Sequence, residues 1–294
     1  MNRFLSILFA SLLSLWSSDS LFAGESAQQE SATLKWLGNA GWEIQFGGAV
    51  ILIDPFFTRT ERAANAEWKT NEEEVLKSIV KADYIFAGHS HADHIADIPF
   101  IAKRFGSKVI GSRTTTNIAS TAGVDKSQLV TIKGGEKLDF NEFSVQVIES
   151  QHGILTRNRQ KRQPKFEEVT KPWSGPITGS SFVEGGSYLY YFIFGKHRVL
   201  HQSTGNFIEE NLKGLQPDVA LLAENGNYDW SEALKLLRPK TVIIQHYDEW
   251  RTPFSAGIPE SNQRRAQRFA KVIKSVDDKI KIIIPQFFKA IVLD

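Results

Sequence analysis

Gly88-His89-Ser90-His91-Ala92-Asp93-His94 follows directly on the apolar run Tyr84-Ile85-Phe86-Ala87. Three imidazoles and a carboxylate packed this tightly are hard to explain as structure alone. A neutral imidazole is the commonest protein ligand for a divalent transition metal, and zinc accepts nitrogen and carboxylate oxygen at about 2.0 to 2.2 Å. His89 and His91, two apart at the end of an extended segment, point the same way. A helix beginning after Ala92 would turn Asp93 and His94 toward a neighbouring point, so the pattern offers ligands to two ions rather than one. A strand running into such a cluster is an α/β signature, because functional groups in α/β proteins gather at the C-terminal ends of strands.

Working outward, Leu34 to Leu37, Trp42 to Phe46 and Val50 to Ile53 read as strands, with Gly47-Gly48 as a hairpin turn and Asp54-Pro55 at the end. Glu72 to Val80, Ile95 to Phe105 and Thr114 to Thr121 read as helices, and Lys108 to Ile110 as a strand. Leu129 to Ile132, Lys137 to Phe140 and Phe143 to Ile148 are further strands and lead to Gln151-His152-Gly153. Tyr188 to Phe194, Arg198 to Leu200, Val219 to Leu222, Thr241 to Ile244, Lys281 to Ile284 and Ala290 to Leu293 are strands of the second half. Helices are expected near Ile208 to Leu212, Ser231 to Leu237 and Asn262 to Lys274. Two halves of this kind predict an α/β fold, a four-layered αββα sandwich of two mixed β-sheets with outer helices. Asp54, the His89 to His94 cluster, His152 and His246 then all stand at strand ends.

The polar stretch 156–181 interrupts this regularity. It carries Arg157, Arg159, Lys161, Arg162 and Lys165 and three prolines, and reads as a loop insertion, either a lid or basic wall beside the site or a solvated loop. Arg264, Arg265, Arg268, Lys271 and Lys274 form a basic helix face whose simplest reading is a solvated surface, with anionic lipid or nucleic acid as the alternative. Trp36, Trp42, Trp230 and Trp250 read as core or rim aromatics, and Tyr228 and Tyr247 as candidate substrate contacts.

The chain has 294 residues, 41% hydrophobic and 23% charged, with a formal net charge of +2. Such a balance favours no polyanionic partner, so no nucleic acid is expected. There is no cysteine, which excludes disulfides, thiol catalysis and sulfur ligation together; any metal is held by nitrogen and oxygen. Arg3, the apolar stretch Phe4 to Trp16 and Leu21-Phe22-Ala23 have the form of a secretory signal peptide over 1–23. An uncleaved anchor is the alternative, although the apolar stretch is shorter than the roughly 20 residues a spanning helix needs. Residues 24–31 read as a polar tail and 32–294 as one domain. The expected location is periplasmic or secreted.

The His-x-His-x-Asp-His spacing of His89, His91, Asp93 and His94 resembles the defining motif of the metallo-β-lactamase fold superfamily. The likeness extends from about Ala32 to the C-terminus. Leu37-Gly38-Asn39-Ala40-Gly41, Ile51-Leu52-Ile53-Asp54-Pro55 and the segment Leu236 to Tyr247, with Gln245-His246-Tyr247, are most similar to the ascorbate-6-phosphate lactonase-like branch. The resemblance implies that His89, His91 and His152 hold one metal, that Asp93, His94 and His246 hold another, and that Asp54 fixes the loop behind them. One departure stands out. Where the family places a metal-bridging aspartate, this chain has Gln202-Ser203-Thr204-Gly205, so Ser203 replaces the shared carboxylate, as in one subclass of zinc β-lactamases. His201 is an auxiliary or structural candidate.

These features predict an exported hydrolase that uses one or two zinc ions, or manganese, to activate water against an ester, lactone or phosphodiester bond, with Asp93 as the catalytic carboxylate. The substrate would be a small or lipid-like molecule. The alternatives are a non-catalytic metal-binding domain of the same fold and a lipid- or nucleic-acid-directed phosphodiesterase. Membrane contact and oligomeric state are left open.

Overall fold

The computed structural model describes residues 31–294 except 61–63, 158–159, 163–165 and 225–228, and the backbone alone of the other residues in 155–165. The expected signal peptide and nearly all of the polar tail therefore lie outside the described residues. Among the described residues, no helix is long and apolar enough to cross a membrane.

The first sheet has seven strands. They are β1 (Ala32–Gly38), β2 (Gly41–Phe46), β3 (Ala49–Ile53), β4 (Tyr84–Phe86), β5 (Lys108–Gly111), β6 (Leu129–Thr131) and β16 (Ala290–Leu293), in the order β16-β1-β2-β3-β4-β5-β6. Pairing is antiparallel from β16 to β3 and parallel from β3 to β6. Parallel neighbours need crossovers, which α1 (Glu72–Ser78), α2 (Ala92–Ile95) with α3 (Ile98–Phe105), and α4 (Arg113–Thr121) supply.

The second seven-stranded sheet contains β7 (Lys137–Asp139), β8 (Ser144–Ser150), β11 (Ser187–Phe194), β12 (His197–Gln202), β13 (Val219–Ala223), β14 (Thr241–Gln245) and β15 (Lys281–Ile283). It runs β7-β8-β11-β12 antiparallel and β12-β13-β14-β15 parallel. Its crossovers are α5 (Glu209–Leu212), α6 (Ser231–Leu237) and α7 (Glu260–Val276). The two sheets are not two halves of the sequence. β7 and β8 leave the first half for the second sheet, and the last strand, β16, returns to pair with β1.

Alternation along the strands builds the layers. Ile51, Ile53, Phe86 and Ile110 face the other sheet, whereas Leu52, Ile85 and Val109 pack beneath Val75, Ile101 and Ile118 of the outer helices. Phe86 meets Tyr190 and Phe192 of β11 edge to face, with ring centroids 5.2 Å apart in each case. Aromatic pairs at that distance and angle are favourable beyond their buried area.

The helix expected over Ile95 to Phe105 is two helices, α2 and α3. Pro99 lies in the first turn of α3; it has no N–H to give the preceding turn and its ring clashes with the carbonyl four residues back, so the helix restarts at Ile98. The interruption frees the buried Asp97 carboxylate, which accepts from the Phe57 and Thr58 amides at 2.7 and 2.8 Å and from Thr58 Oγ1 at 2.6 Å.

The insertion contains a short hairpin, β9 (Leu155–Arg157) against β10 (Gln160–Arg162). Residues beyond it dock on α4: the Val169 amide donates to Thr114 Oγ1 at 2.9 Å, its carbonyl accepts from Asn117 Nδ2 at 2.8 Å, and Arg113 pairs with Glu168. The expected basic residues of 157–165 have no described side chains.

Candidate metal centre

Each candidate ligand, and each auxiliary residue behind the ligands, follows or ends a strand: Asp54 follows β3, the His89 to His94 cluster β4, His152 β8, Ser203 β12 and His246 β14. The strand ends meet along one edge of the sandwich. Tyr190 of the second sheet donates its hydroxyl to the Ala87 carbonyl at 2.6 Å, and the Tyr188 amide donates to the Gly88 carbonyl at 2.8 Å, which ties the cluster to the opposite sheet. Ser90 turns away from the histidines, toward Ser112 and Thr115 at 3.0 and 2.8 Å.

Two groups of side chains converge. His89, His91 and His152 form one; Asp93, His94 and His246 form the other, with the ligand atoms of each group within 4.8 Å of one another. In the first group, His89 Nε2 and His152 Nε2 each lie 3.1 Å from His91 Nδ1. Burial pushes His89 well below the ordinary histidine range, His91 to about 4 and His152 downward, so all three rings are neutral at pH 7.

Their other nitrogens assign the tautomers. His152 Nδ1 donates to the Gly153 carbonyl at 2.9 Å, and His89 Nδ1 donates to Ser203 Oγ at 3.2 Å. Both rings therefore aim Nε2 lone pairs at His91. Three nitrogens at this spacing suit a cation: ligands about 2.05 Å from a tetrahedral zinc are about 3.3 Å apart.

In the second group, His94 Nε2 is 3.3 Å and His246 Nε2 3.7 Å from Asp93 Oδ2. His246 Nε2 is buried and has no hydrogen-bond partner among the described residues, an orphaned lone pair that a metal would satisfy. Burial opposes ionisation of Asp93, but His94, His246 and Asn39 outweigh it and hold the carboxyl well below its usual range. Burial also opposes protonation of His94; Asp93 and Asp54 overcome it and raise this ring to about 10. A cation here would take the place of that proton.

Asp54 and Ser203 stand behind both groups. Asp54 Oδ1 accepts from the Gly88 amide at 2.7 Å, and Oδ2 accepts from His94 Nδ1 at 3.0 Å and from the Ser203 hydroxyl. Ser203 Oγ also lies 3.2 Å from both His89 Nδ1 and His94 Nδ1. One hydroxyl and one carboxylate thus orient a histidine of each group. A Cβ on Gly88 would come within 2.3 Å of Ser203, so only glycine lets the two strand ends approach. His201 is buried with Nε2 donating to the Ala40 carbonyl at 2.9 Å, and joins neither group. Tyr247 is buried with its hydroxyl on the Pro285 carbonyl, so it packs rather than facing the pocket; Tyr228 lies outside the described residues.

Sequence reasoning missed Asn39. Its backbone is left-handed, φ 53°, a conformation asparagine tolerates better than most residues. Its Nδ2 donates to the Asp93 carbonyl and Oδ2 at 2.7 and 2.9 Å, its carbonyl accepts from the His246 amide at 2.8 Å, and its own amide donates to Asp248 Oδ1 at 2.9 Å. Asp248 in turn pairs with the buried Arg59. The signal was the asparagine between Gly38 and Ala40, but its partners are more than 50 residues away.

The six side chains line a pocket of about 330 Å³ together with Asp248, Glu249, Trp250 and Arg265. None of the residues of 166–181 lines it; Glu168 and Val169 contact α4 instead, and the basic side chains of 157–165 lie outside the described residues.

Residues 33–246 match the family described as Beta-lactamase superfamily domain. The chain belongs to the metallo-β-lactamase superfamily. Among its superfamily relatives, a UPF0173 metal-dependent hydrolase of Carboxydothermus hydrogenoformans is 30% identical, over 74% of this chain and 85% of that one. Another, from Thermococcus kodakarensis, is 28% identical over 82% and 94%. The metallo-β-lactamase fold is shared with Igni18, a metallo hydrolase of Ignicoccus hospitalis, at 22% identity, coverage of 90% and 99%, and a TM-score of 0.61. It is also shared with CmlA, a diiron β-hydroxylase of Streptomyces venezuelae, at 13% identity, coverage of 90% and 54%, and a TM-score of 0.62. The fold by itself therefore fixes neither the metal nor the reaction.

Proposed function

We propose that this metal-dependent hydrolase cleaves an ester, lactone or phosphodiester bond of a small or lipid-like substrate. His89, His91 and His152 would hold one ion and Asp93, His94 and His246 a second, zinc being the leading choice and manganese a substitute, since nitrogen and oxygen ligands select weakly between them. Bound ions of this kind supply Lewis acidity toward water and toward the oxygen that gains charge. Asn39 holds the Asp93 carboxylate in place through Nδ2, so Asp93 is oriented both to ligate and to accept a hydrogen bond from the attacking water. Asp54 and Ser203 keep His89 and His94 in the tautomers that present Nε2.

The observation that carries this reading is the convergence of three histidine nitrogens beside a second group containing a carboxylate and an orphaned histidine nitrogen. Ser203 in place of a shared carboxylate favours a second reading, a non-catalytic metal-binding domain. A panel of chromogenic phosphodiesters, lactones, esters and β-lactams, assayed with zinc or manganese, separates the two. Turnover of at least one class by the wild type, abolished in Asp93→Ala, supports the hydrolase; a metal-loaded wild type that turns over none supports the binding domain. The lactone member of the panel tests the branch that the Leu37 to Gly41 turn resembles.

Export is part of the same proposal and rests on the Met1 to Ala23 segment. Fractionation of the producing cell and N-terminal sequencing of the mature protein test it; a cytoplasmic chain retaining residues 1–23 removes it.

A further inference from the structure

Four residues of the metal pocket are not candidate ligands, and they differ in what they are free to do. The Asp248 carboxylate is taken by Arg59 and by the Asn39 amide. Glu249 Oε1 accepts from the Arg251 amide at 3.4 Å. The Trp250 ring lies edge-on to Phe56 at 6.0 Å with the Arg251 guanidinium 4.4 Å from its centroid, which makes it a braced apolar wall. The fourth is Arg265, from α7.

Arg265 is the pocket's guanidinium; its side chain is 39% exposed and is anchored at one nitrogen. Its Nε donates to Glu224 Oε2 at 2.8 Å, and Glu224, directly after β13, donates its backbone N–H to the carbonyl of Gln245, next to His246, at 2.8 Å. The neighbouring Arg264 is paired along its own helix with Glu260. The basic run on α7 thus divides, with Arg265 turned to the metal pocket. Among the described residues Glu224 engages Nε alone, so the two Nη groups keep their donors. Burial raises the Glu224 carboxyl, and Arg265 and Arg268 act against that rise; Asp248 and Glu249 are the carboxylates that line the pocket beside Arg265.

A guanidinium with both amino groups available, pinned at Nε beside a catalytic pocket, matches a planar or tetrahedral oxyanion by paired charge-assisted hydrogen bonds. Deepening the hydrolase reading on which it rests, we infer that Arg265 is the specificity-determining residue of the pocket. The substrate carries a carboxylate or phosphate that Arg265 binds, joined to the scissile bond by an apolar segment that lies along Trp250.

Calorimetric binding to zinc-loaded protein tests this without requiring turnover. The probes are the dicarboxylates from succinate to pimelate, each against the monocarboxylate of equal chain length, which engages the metal but has nothing for Arg265. At least one dicarboxylate should bind about ten-fold tighter than its monocarboxylate. Arg265→Met should reduce that advantage to within about three-fold, Arg265→Lys should keep part of it, and Glu224→Gln, which removes the competing carboxylate, should keep or enlarge it. A role confined to packing α7 would instead make Arg265→Met and Glu224→Gln behave alike. Replacing the distal carboxylate by a phosphonate shows which oxyanion is preferred; a larger gain for either one supports the inference. The inference is overturned if no dicarboxylate outbinds its partner, or if the advantage survives Arg265→Met. Should Arg265→Met lose metal, the Arg265→Lys and Glu224→Gln pair carries the comparison. Failure of the wild type to retain zinc overturns the underlying metal centre instead, and failure to turn over any ester overturns only the hydrolase reading.

Discussion

Replacing Asp248 by asparagine should damage the protein out of proportion to the change in shape. Asp248 and Arg59 have side chains 1% and 3% exposed. The guanidinium has no other carboxylate among the described residues: Nη1 reaches the Glu249 and Thr252 carbonyls only at 3.4 Å, Nε has no partner, and the remaining neighbours are the Phe254 and Phe287 rings at 4.0 and 5.1 Å. Removing one charge from a buried pair leaves the other uncompensated, which costs about 3–5 kcal/mol. For a domain of this size that corresponds to a fall in Tm of roughly 6–20 °C. The damage should be directional, because the same carboxylate holds the Asn39 amide, and Asn39 holds Asp93 and the left-handed His246, φ 57°. Metal should be lost first from the Asp93, His94 and His246 group. Urea denaturation of metal-free Asp248→Asn, Arg59→Met and the double variant forms a cycle with a strong coupling, the double variant being less destabilised than the sum of the two. A loss below about 1 kcal/mol for Asp248→Asn, or additive single variants, would refute this reasoning.

Ser203→Ala deletes the hydroxyl that joins Asp54 to His89 and His94; metal affinity should fall about 10- to 100-fold although all six ligand side chains remain, as measured by competition with a chelator. Gly88→Ala puts a methyl within 2.3 Å of Ser203, so it should lower metal content at least as far as Ser203→Ala, by elemental analysis. For Asp218, burial opposes ionisation, and Arg198 and Lys240 outweigh it to hold the carboxyl below its usual range. A depressed folded pKa gives stability that is present above the unfolded value of about 3.9 and lost as pH falls below it. Asp218→Asn should therefore cost about 0.5–1 kcal/mol at pH 7, with the difference shrinking below about pH 4; an unchanged gap at low pH contradicts the assignment.

The features legible in the sequence were the local ones. Alternation in Ala49–Ile53 and the apolar run before Gly88 gave strands whose ends had to carry the ligands, and the spacing of His89, His91, Asp93 and His94 offered ligands for more than one ion. What stayed hidden depends on chain crossings. β16 closes the first sheet beside β1, and β7 and β8 join the second sheet, because edge pairing is decided by which strand is left uncovered and not by hydrophobic period. Arg59 and Asp248 carry no local signature, and Asn39 shows only an asparagine in a glycine turn: the partners of all three appear once the strand ends bring residues 39, 93 and 248 together. Pro99 did signal the break between α2 and α3, but the apolar pattern of Ile95 to Phe105 masked it. Arg265 sits in a basic run that composition alone reads as solvated, and its place at the pocket edge shows only once Glu224 is brought beside it.

The most direct measurement is the zinc content of the wild type, His152→Ala and His246→Ala after reconstitution and removal of loosely bound ions, with folding checked by circular dichroism. The two ligand groups predict two ions per chain in the wild type and one in each variant. A wild type that binds a single ion, with His246→Ala retaining it in full, would contradict the two-ion centre.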